Sequence, residues 1–280
     1  MAVDAQHRKL VSTPRAFVDG QPADAAALVR FARSSYGHFT TMQVRGGAVR
    51  GLHLHLARLE HATRVLFGAA LDVPALRVQM HQVLAGRTDA SLRINVGAAN
   101  YTARHMPDPA RIEVLMLVDP PAPEMVAPVR LMSVVHARYL PQIKHAGGFD
   151  LLHLRRHARE QGFDDALLLA ADGFVAEGTT FNTGFFDRDA LVWPQAPQLD
   201  GVTKQLLSEA FANSGRYVRS QPVTLDDIAG FDGGFCCHSG GVWPIRSVDD
   251  RSLRCSENAT AKLRQCLALL PAESIRMADD

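Results

Sequence analysis

The chemistry that this sequence suggests depends on one lysine, Lys144, and one glutamate, Glu177. A lysine amine condenses with an aldehyde, and burial lowers its pKa enough to make it a nucleophile and a proton carrier. A carboxylate beside a basic nitrogen favours the protonated form of that nitrogen. Each residue also has a simpler interpretation, because a single lysine at a strand end is usually solvated and an acid before Gly-Thr-Thr is usually part of a turn.

The elements between these two residues are readable from the sequence pattern. Apolar and long side chains recur at helical spacing over residues 151–158, and Gly162 is suited to end that helix. Residues 165–170 are typical of a buried strand, and Asp172-Gly173 is a hairpin turn signal. The return strand, residues 174–177, therefore carries Glu177.

The order of these features resembles the class IV aminotransferases. After Lys144, the helix, the hairpin and Glu177 comes Gly178-Thr179-Thr180 and then Asn182. These fold-type-IV pyridoxal-phosphate (PLP) enzymes include branched-chain and D-amino-acid aminotransferases and aminodeoxychorismate lyase. The resemblance covers the chain from Ala16 to Leu270 and implies that Lys144 forms the Schiff base with PLP. It also implies that Glu177 meets the pyridinium nitrogen, so that the ring can accept electrons.

Three further segments are similar to the family's phosphate-binding motifs. In His55-Leu-Ala-Arg58-Leu the arginine grips the phosphate, for which its planar fork is suited; a solvated helix arginine is the alternative. Gly201-Val202-Thr203 precedes a helix predicted over residues 204–213, and its amides and hydroxyl hold the phosphate. Thr203 is equally suited to cap that helix. Ser239 is the candidate hydroxyl of a third loop, with Gly240 allowing close approach.

The resemblance also implies substrate contacts. Tyr36 and Phe39 keep the aromatic positions of a family hairpin that is shorter here, and they would line the substrate pocket or else be core aromatics. Arg93 lies in a strand with apolar neighbours, where it would meet a substrate carboxylate or pair with an Asp or Glu. Phe149 stands where branched-chain enzymes place a tyrosine whose hydroxyl reaches the cofactor. This departure leaves a lyase or an unusual transaminase open.

The sequence predicts an α/β (α+β) protein of two domains. The segment Asp119-Pro120-Pro121-Ala122-Pro123 cannot continue a helix or a central strand. We therefore expect an N-terminal α/β domain over residues 1–118, a linker over 119–127 and a C-terminal PLP-binding domain over 128–280. Residues 1–13 are expected to form a poorly ordered arm. The family fold implies PLP in the cleft between the domains and a homodimer whose partner chain completes the pocket.

Composition and charge limit the classes of function that the protein can have. The formal charge of +1 gives no global bias toward nucleic acid or acidic membranes, and no run of 18 apolar residues occurs. The N-terminus lacks the apolar core of a signal peptide. We expect the four cysteines to be reduced thiols in a cytoplasmic protein: Cys236, Cys237, Cys255 and Cys266. No metal is expected, since no carboxylate or cysteine set accompanies the scattered histidines.

Three functions follow as hypotheses. The first is a PLP-dependent aminotransferase that moves an amino group between an amino acid and a 2-oxo acid through a Lys144 Schiff base. The second is a lyase that acts on aminodeoxychorismate and releases pyruvate and 4-aminobenzoate. The third is a non-catalytic protein on the same fold, suggested by the shortened hairpin, by Phe149 and by the altered Ser239 loop.

Overall fold

The computed structural model describes residues 15–254 and 257–275. The arm predicted for residues 1–13, and Cys255, lie outside the described residues. The first half of the described chain forms β1 (Arg15–Val18), β2 (Gln21–Pro22), α1 (Ala25–Arg33), β3 (His38–Val44), β4 (Ala48–Arg50), α2 (Leu52–Phe67), α3 (Val73–Leu84), β5 (Ala90–Ala98) and β6 (Ile112–Asp119).

The second half forms β7 (Val129–Val135), α4 (Phe149–Glu160), β8 (Asp165–Leu169), β9 (Val175–Gly178), β10 (Asn182–Asp187), β11 (Ala190–Pro194), α5 (Val202–Asn213), β12 (Tyr217–Gln221), β13 (Gly233–His238), β14 (Gly241–Val248), β15 (Arg251–Ser252), α6 (Glu257–Leu269) and β16 (Ala272–Ser274). These elements belong to the α/β class that the sequence predicts. None of the helices in residues 15–254 and 257–275 is long and apolar enough to cross a membrane.

The described chain divides into two compact units. The first contains residues 15–122, 145–147 and 272–275, and the second contains residues 123–144 and 148–271. Each unit has its own sheet. The prolines between β6 and β7 lie in a stretch without helix or strand, as their missing N–H groups and fixed φ require.

The first unit contains a five-stranded antiparallel sheet in the order β2-β1-β6-β5-β3, with α2 and α3 packed on one face. Alternate residues of β3 and β5 are buried, and they pack with α2 and α3 into one apolar core. The helix starts agree with the sequence pattern. Asp24 accepts the Ala27 N–H of α1 at 2.7 Å, and Asp72 accepts the Ala75 N–H of α3 at 2.9 Å.

A buried histidine lies in the core of this unit. His38 is 1% exposed, and its Nε2 lies 3.0 Å from the hydroxyl of Thr63. That hydroxyl donates its proton to the carbonyl of Leu59, so His38 Nε2 must be the donor to Thr63. His38 Nδ1 is buried without a hydrogen-bond partner in the described structure. Burial lowers the pKa of His38 to about 4.

The second unit is built on a mixed sheet in the order β12-β11-β10-β13-β14-β7-β8-β9, with β15 beside β14. Helix α4 joins the parallel pair β7 and β8, and α5 joins the parallel pair β11 and β12. Both faces of the sheet are buried. Phe185 and Cys236 belong to one apolar cluster, and their neighbours Phe186 and Cys237 belong to the other. Period-two alternation therefore fills two cores from the same strands.

Two element boundaries differ from the sequence-based expectation. Helix α5 begins at Val202 and not at Lys204, because Gly201 takes the N-cap position. The sequence over residues 220–228 predicts a strand and then a short helical turn; the strand is β12, which begins earlier, at Tyr217, and ends at Gln221, and the turn covers Asp227–Gly230. Pairing with β11 sets the limits of β12, and such pairing is not visible in the local sequence.

His38 predicts a pH-dependent contribution to stability. The folded-state pKa of about 4 lies below the ordinary value of 6.5, so protonation favours the unfolded chain. The contribution is present above the ordinary pKa and is lost as the pH falls toward 4. Between pH 7 and 4.5, wild-type protein should lose about 2 kcal/mol more unfolding free energy than His38→Gln. Urea unfolding followed by circular dichroism at each pH measures this difference.

The matched control is His61→Gln, which removes an exposed histidine of α2. This variant should keep the wild-type pH dependence. Equal pH dependence in wild type and His38→Gln would show that the buried ring does not titrate in this way.

Candidate active site

Lys144 lies in the loop between β7 and α4, directly after the buried Ile143. The loop is held by a residue that the sequence analysis did not assign. Arg138 Nη1 donates to the Ile143 carbonyl at 3.0 Å, and its Nη2 donates to the Pro141 carbonyl. One guanidinium thus fixes the backbone just before the lysine.

The same guanidinium binds Glu177. Arg138 Nη2 and Nε lie 2.9 Å and 3.0 Å from Glu177 Oε1, and both side chains are under a tenth exposed. The Leu199 N–H donates to the same carboxylate oxygen at 3.2 Å. Arg138 therefore connects the loop that carries Lys144 to the carboxylate of β9.

Burial and charge act in opposite directions on Glu177. Burial is the larger effect and raises the pKa of Glu177 above its ordinary value. Arg138, the Leu199 N–H and the charge of Lys144 each lower that pKa. The charge of Lys144 is thus close enough to act on Glu177.

Asn182 is a second positioning residue that was noted in the sequence motif but given no role. Its amide donates to the Leu199 carbonyl at 2.7 Å and to Gln198 Oε1 at 3.1 Å. A Cβ atom on Gly201 would lie 2.0 Å from Asn182 Oδ1. Glycine at position 201 and asparagine at position 182 are therefore required together. The asparagine fixes the backbone whose Leu199 N–H reaches Glu177.

The start of α5 offers unpaired donors. Gly201 is the N-cap residue and supplies no side-chain cap, so Thr203 is not the helix cap. The first N–H groups of an α-helix have no intrahelical partner, and the helix dipole favours an anion there. Val202 and Thr203 contribute two of these groups. Thr203 is 9% exposed, and its hydroxyl makes no hydrogen bond to a described residue.

Ser239 and Gly240 form the two-residue turn between β13 and β14. The Gly240 N–H donates to His238 Nδ1 at 2.8 Å, and the Gly240 carbonyl accepts the Met125 N–H at 3.0 Å. The hydroxyl of Ser239 makes no hydrogen bond to a described residue. The backbone contacts of Gly240 thus give a structural reason for glycine at this position, in addition to the close approach to phosphate expected from the sequence.

The other predicted residues belong to the first unit. Arg58 is half-buried on α2. Tyr36 is 41% exposed, its hydroxyl donates to the Leu66 carbonyl, and its ring contacts Phe67 and Tyr101.

Phe39 and Arg93 lie in contact on β3 and β5, with the Arg93 guanidinium 3.7 Å from the centre of the Phe39 ring. Arg93 Nε donates to Asn95 at 3.0 Å, and burial lowers the pKa of Arg93. Within residues 15–254 and 257–275, no carboxylate pairs with Arg93, so the alternative role of an ion-pair partner is not observed there. Strand β5 also lies inside the sheet and not at its edge.

Phe149, at the position of the family's tyrosine, is the first residue of α4. It is 81% exposed and stacks on His153. The ring therefore has no role in the core of the second unit.

The Arg138–Glu177 pair predicts a specific stability pattern. Arg138→Met should lower the free energy of unfolding by about 3–5 kcal/mol, because it leaves a buried carboxylate without its cation. Arg156→Met is the matched control, since Arg156 is 79% exposed and pairs only with Glu160 one turn away; it should change stability by about 0.5 kcal/mol or less. The double variant Arg138→Met/Glu177→Met should recover most of the loss. Urea unfolding measures all three, and an Arg138→Met protein as stable as Arg156→Met would contradict the assignment.

Comparisons with known proteins identify relatives of this chain. The family model for amino-transferase class IV matches residues 37–248. A probable branched-chain-amino-acid aminotransferase of Rickettsia bellii is 34% identical over 114 residues, which are 39% of this chain and 38% of that relative. The aligned segment thus spans well under half of this curated relative. A putative branched-chain-amino-acid aminotransferase of Methanocaldococcus jannaschii is 24% identical over 89% of this chain and 92% of its own.

Solved structures extend the likeness to nearly the whole chain. The 4-amino-4-deoxychorismate lyase of Pseudomonas aeruginosa is 28% identical with a TM-score of 0.77, over 90% of this chain and 97% of that one. The branched-chain amino acid aminotransferase of Escherichia coli shares the fold, with a TM-score of 0.82 at 16% identity over 94% of this chain and 99% of that one. These likenesses confirm the predicted fold class. Because the family model covers most of the sequence, the chain belongs to the class IV aminotransferase family of enzymes.

Proposed function

We propose that this protein is a PLP-dependent aminotransferase that moves an amino group between an amino acid and a 2-oxo acid. The observation that carries the proposal is the Arg138 guanidinium, which joins the Lys144 loop to the buried carboxylate of Glu177. Family membership supports the same chemistry. Relatives described as branched-chain aminotransferases favour transfer of the amino group as the reaction.

The residues present fit PLP. Bound PLP supplies an aldehyde carbon and a pyridine ring that accepts electrons when its nitrogen is protonated. Lys144 offers the amine for covalent attachment, and Glu177, paired with Arg138, offers the partner for the ring nitrogen. The uncapped start of α5, with the free Thr203 hydroxyl, suits a phosphate group. A site with an amine, a buried carboxylate and an anion-binding helix start has the three kinds of group that PLP requires.

In this proposal the residues of the second unit divide the work between them. Lys144 Nζ holds the cofactor and then carries the proton to and from the substrate Cα. Glu177 would accept a hydrogen bond from the protonated ring nitrogen. Phosphate contacts come from the Val202 and Thr203 amides and the Thr203 hydroxyl, with Ser239 and Gly240 as the second loop.

Residues of the first unit complete the list. Arg58 is proposed as the bidentate phosphate ligand. Arg93, which has no acidic partner in the described structure, is proposed to bind a substrate carboxylate. Phe39 orients Arg93 through the stacked ring, and Tyr36 is proposed to line the same pocket.

We also propose a cytoplasmic homodimer. The three described cysteines are free thiols, which suits a reducing compartment. Large apolar side chains of the second unit are more than half exposed, and such groups mark association surfaces: Val135 at 66%, Tyr139 at 86%, Phe149 at 81% and Leu152 at 60%. Sedimentation of a monomer at micromolar concentration would contradict the dimer.

Replacement of Lys144 tests the proposal directly. Wild-type protein with added PLP should show a visible absorption band that borohydride bleaches, and peptide mapping should find the pyridoxyl group on Lys144. Lys144→Ala should lose the borohydride-stable label and at least ~10²–10⁴-fold of turnover. Lys262→Ala, which changes an exposed lysine of α6, should keep both. Wild-type protein without a band or label would favour the non-catalytic alternative.

The second candidate function is a lyase that acts on 4-amino-4-deoxychorismate. The 28% identity to the Pseudomonas aeruginosa lyase over nearly the whole chain favours it specifically. Product analysis separates the two reactions. A transaminase should form product only when an amino acid and a 2-oxo acid are both present. Pyruvate and 4-aminobenzoate formed from 4-amino-4-deoxychorismate without any 2-oxo acid would overturn the transaminase assignment in favour of the lyase.

A further inference from the structure

His238 is a half-buried residue to which neither the family motifs nor the roles proposed above give a function. It ends β13, and its ring meets the ring of the buried Trp243 edge-on, with ring centres 4.7 Å apart. Its Nδ1 accepts the Gly240 N–H at 2.8 Å. An imidazole nitrogen that accepts a hydrogen bond carries no proton, so the proton of the neutral ring is on Nε2.

The turn after β13 is shaped around this ring. A Cβ atom on Gly240 would lie 2.7 Å from His238 Cε1 and 3.2 Å from Nδ1. Only glycine therefore leaves room for the ring at its observed position. The Gly240 carbonyl is tied to the Met125 N–H, so the backbone of the turn is fixed on both sides. His238 Nε2 makes no hydrogen bond to a described residue, which leaves one oriented N–H donor.

Strand pairing places His238, at the end of β13, next to the start of β10. Asn182, at the start of β10, pairs with Cys237, the residue before His238. Asn182 in turn holds the Leu199 backbone that reaches Glu177. His238 therefore lies at the strand end that carries Asn182, and its ring is on the face of Trp243, opposite to the face of the Asn182 side chain.

Two cations, Lys144 and Arg155, act on His238, and Arg155 is itself paired with Asp165 at 2.8 Å. Burial is the main reason that the pKa of His238 falls to about 4, and the charges of Lys144 and Arg155 lower it further. The imidazole is thus neutral at neutral pH, and it donates a hydrogen bond without adding a third cation. An anion is the ligand that this combination of cations and a neutral donor favours.

We propose that His238 is a ligand-binding residue of the Lys144 site, where its Nε2–H donates a hydrogen bond to an oxyanion of a bound molecule. Two groups share this chemistry, the phosphate of PLP and the carboxylate of the substrate. The inference rests on the proposed PLP function. It adds His238 to the turn in which the sequence-based expectation names Ser239 and Gly240.

Two variants test the inference. His238→Phe keeps the flat ring against Trp243 and removes the donor, whereas His238→Gln keeps an N–H donor near the position of Nε2. His157→Phe makes the same change at an exposed position of α4 and is the control. Dissociation constants for PLP and for pyridoxal, which lacks the phosphate, are measured by absorbance titration. KM and kcat are measured for the amino acid and the 2-oxo acid, and melting temperatures verify folding.

If His238 binds the phosphate, His238→Phe should weaken PLP binding by about 10-fold to 100-fold and leave pyridoxal binding unchanged. If it binds the substrate carboxylate, PLP binding should stay unchanged and KM should rise by a similar factor. In either case His238→Gln should restore most of the loss, and His157→Phe should match wild type.

Three outcomes would overturn the inference. They are PLP binding and KM both within about twofold of wild type in His238→Phe, equal weakening of PLP and pyridoxal, or a His238→Gln protein as impaired as His238→Phe. Each would leave only a packing role against Trp243. A wild-type protein that takes up neither PLP nor pyridoxal would contradict the proposed function itself. A wild type that binds PLP while His238→Phe is unaltered would contradict this inference alone.

Discussion

The buried ion pair between Arg138 and Glu177 is the interaction on which the candidate site depends. Moving both charges out of water is costly, and the cost is offset only where geometry and additional hydrogen bonds are good. The pair meets that condition. Arg138 also donates hydrogen bonds to two loop carbonyls, and Glu177 accepts a hydrogen bond from the Leu199 N–H. The fold therefore stabilises a charge pair that also fixes the loop that carries Lys144.

Two glycines show how tightly the backbone around this pair is determined. The amide of Asn182 occupies the space of a Cβ on Gly201, and the ring of His238 occupies the space of a Cβ on Gly240. In both places a short loop is made to fit one polar side chain. The first contact sets the segment that reaches Glu177, and the second leaves His238 with a single oriented donor. Preorganised polar groups of this kind act on a ligand without having to rearrange when it binds.

The first unit contributes a different kind of polar arrangement. Arg93 is held flat on Phe39 and tied to Asn95, yet no acid of the described chain neutralises it. Partial burial of a guanidinium without a counter-ion is unfavourable in free energy, and binding of an anionic substrate would offset this unfavourable term. His38 and Thr63 show the opposite case, in which a polar pair is enclosed in the apolar core and has no access to a ligand.

The sequence by itself determined the local elements and the family. The helix over residues 151–158, the hairpin turn at Asp172-Gly173 and the return strand that carries Glu177 are all short-range patterns, and the structure has them. Only the tertiary structure could reveal the partners. Arg138 is 39 residues from Glu177 along the chain, and His238 approaches Asn182 only because β13 pairs with β10. The spacing of residues along a chain determines which face of a helix or strand each side chain occupies. The partner of that side chain across a loop or a sheet is determined by how the whole chain packs.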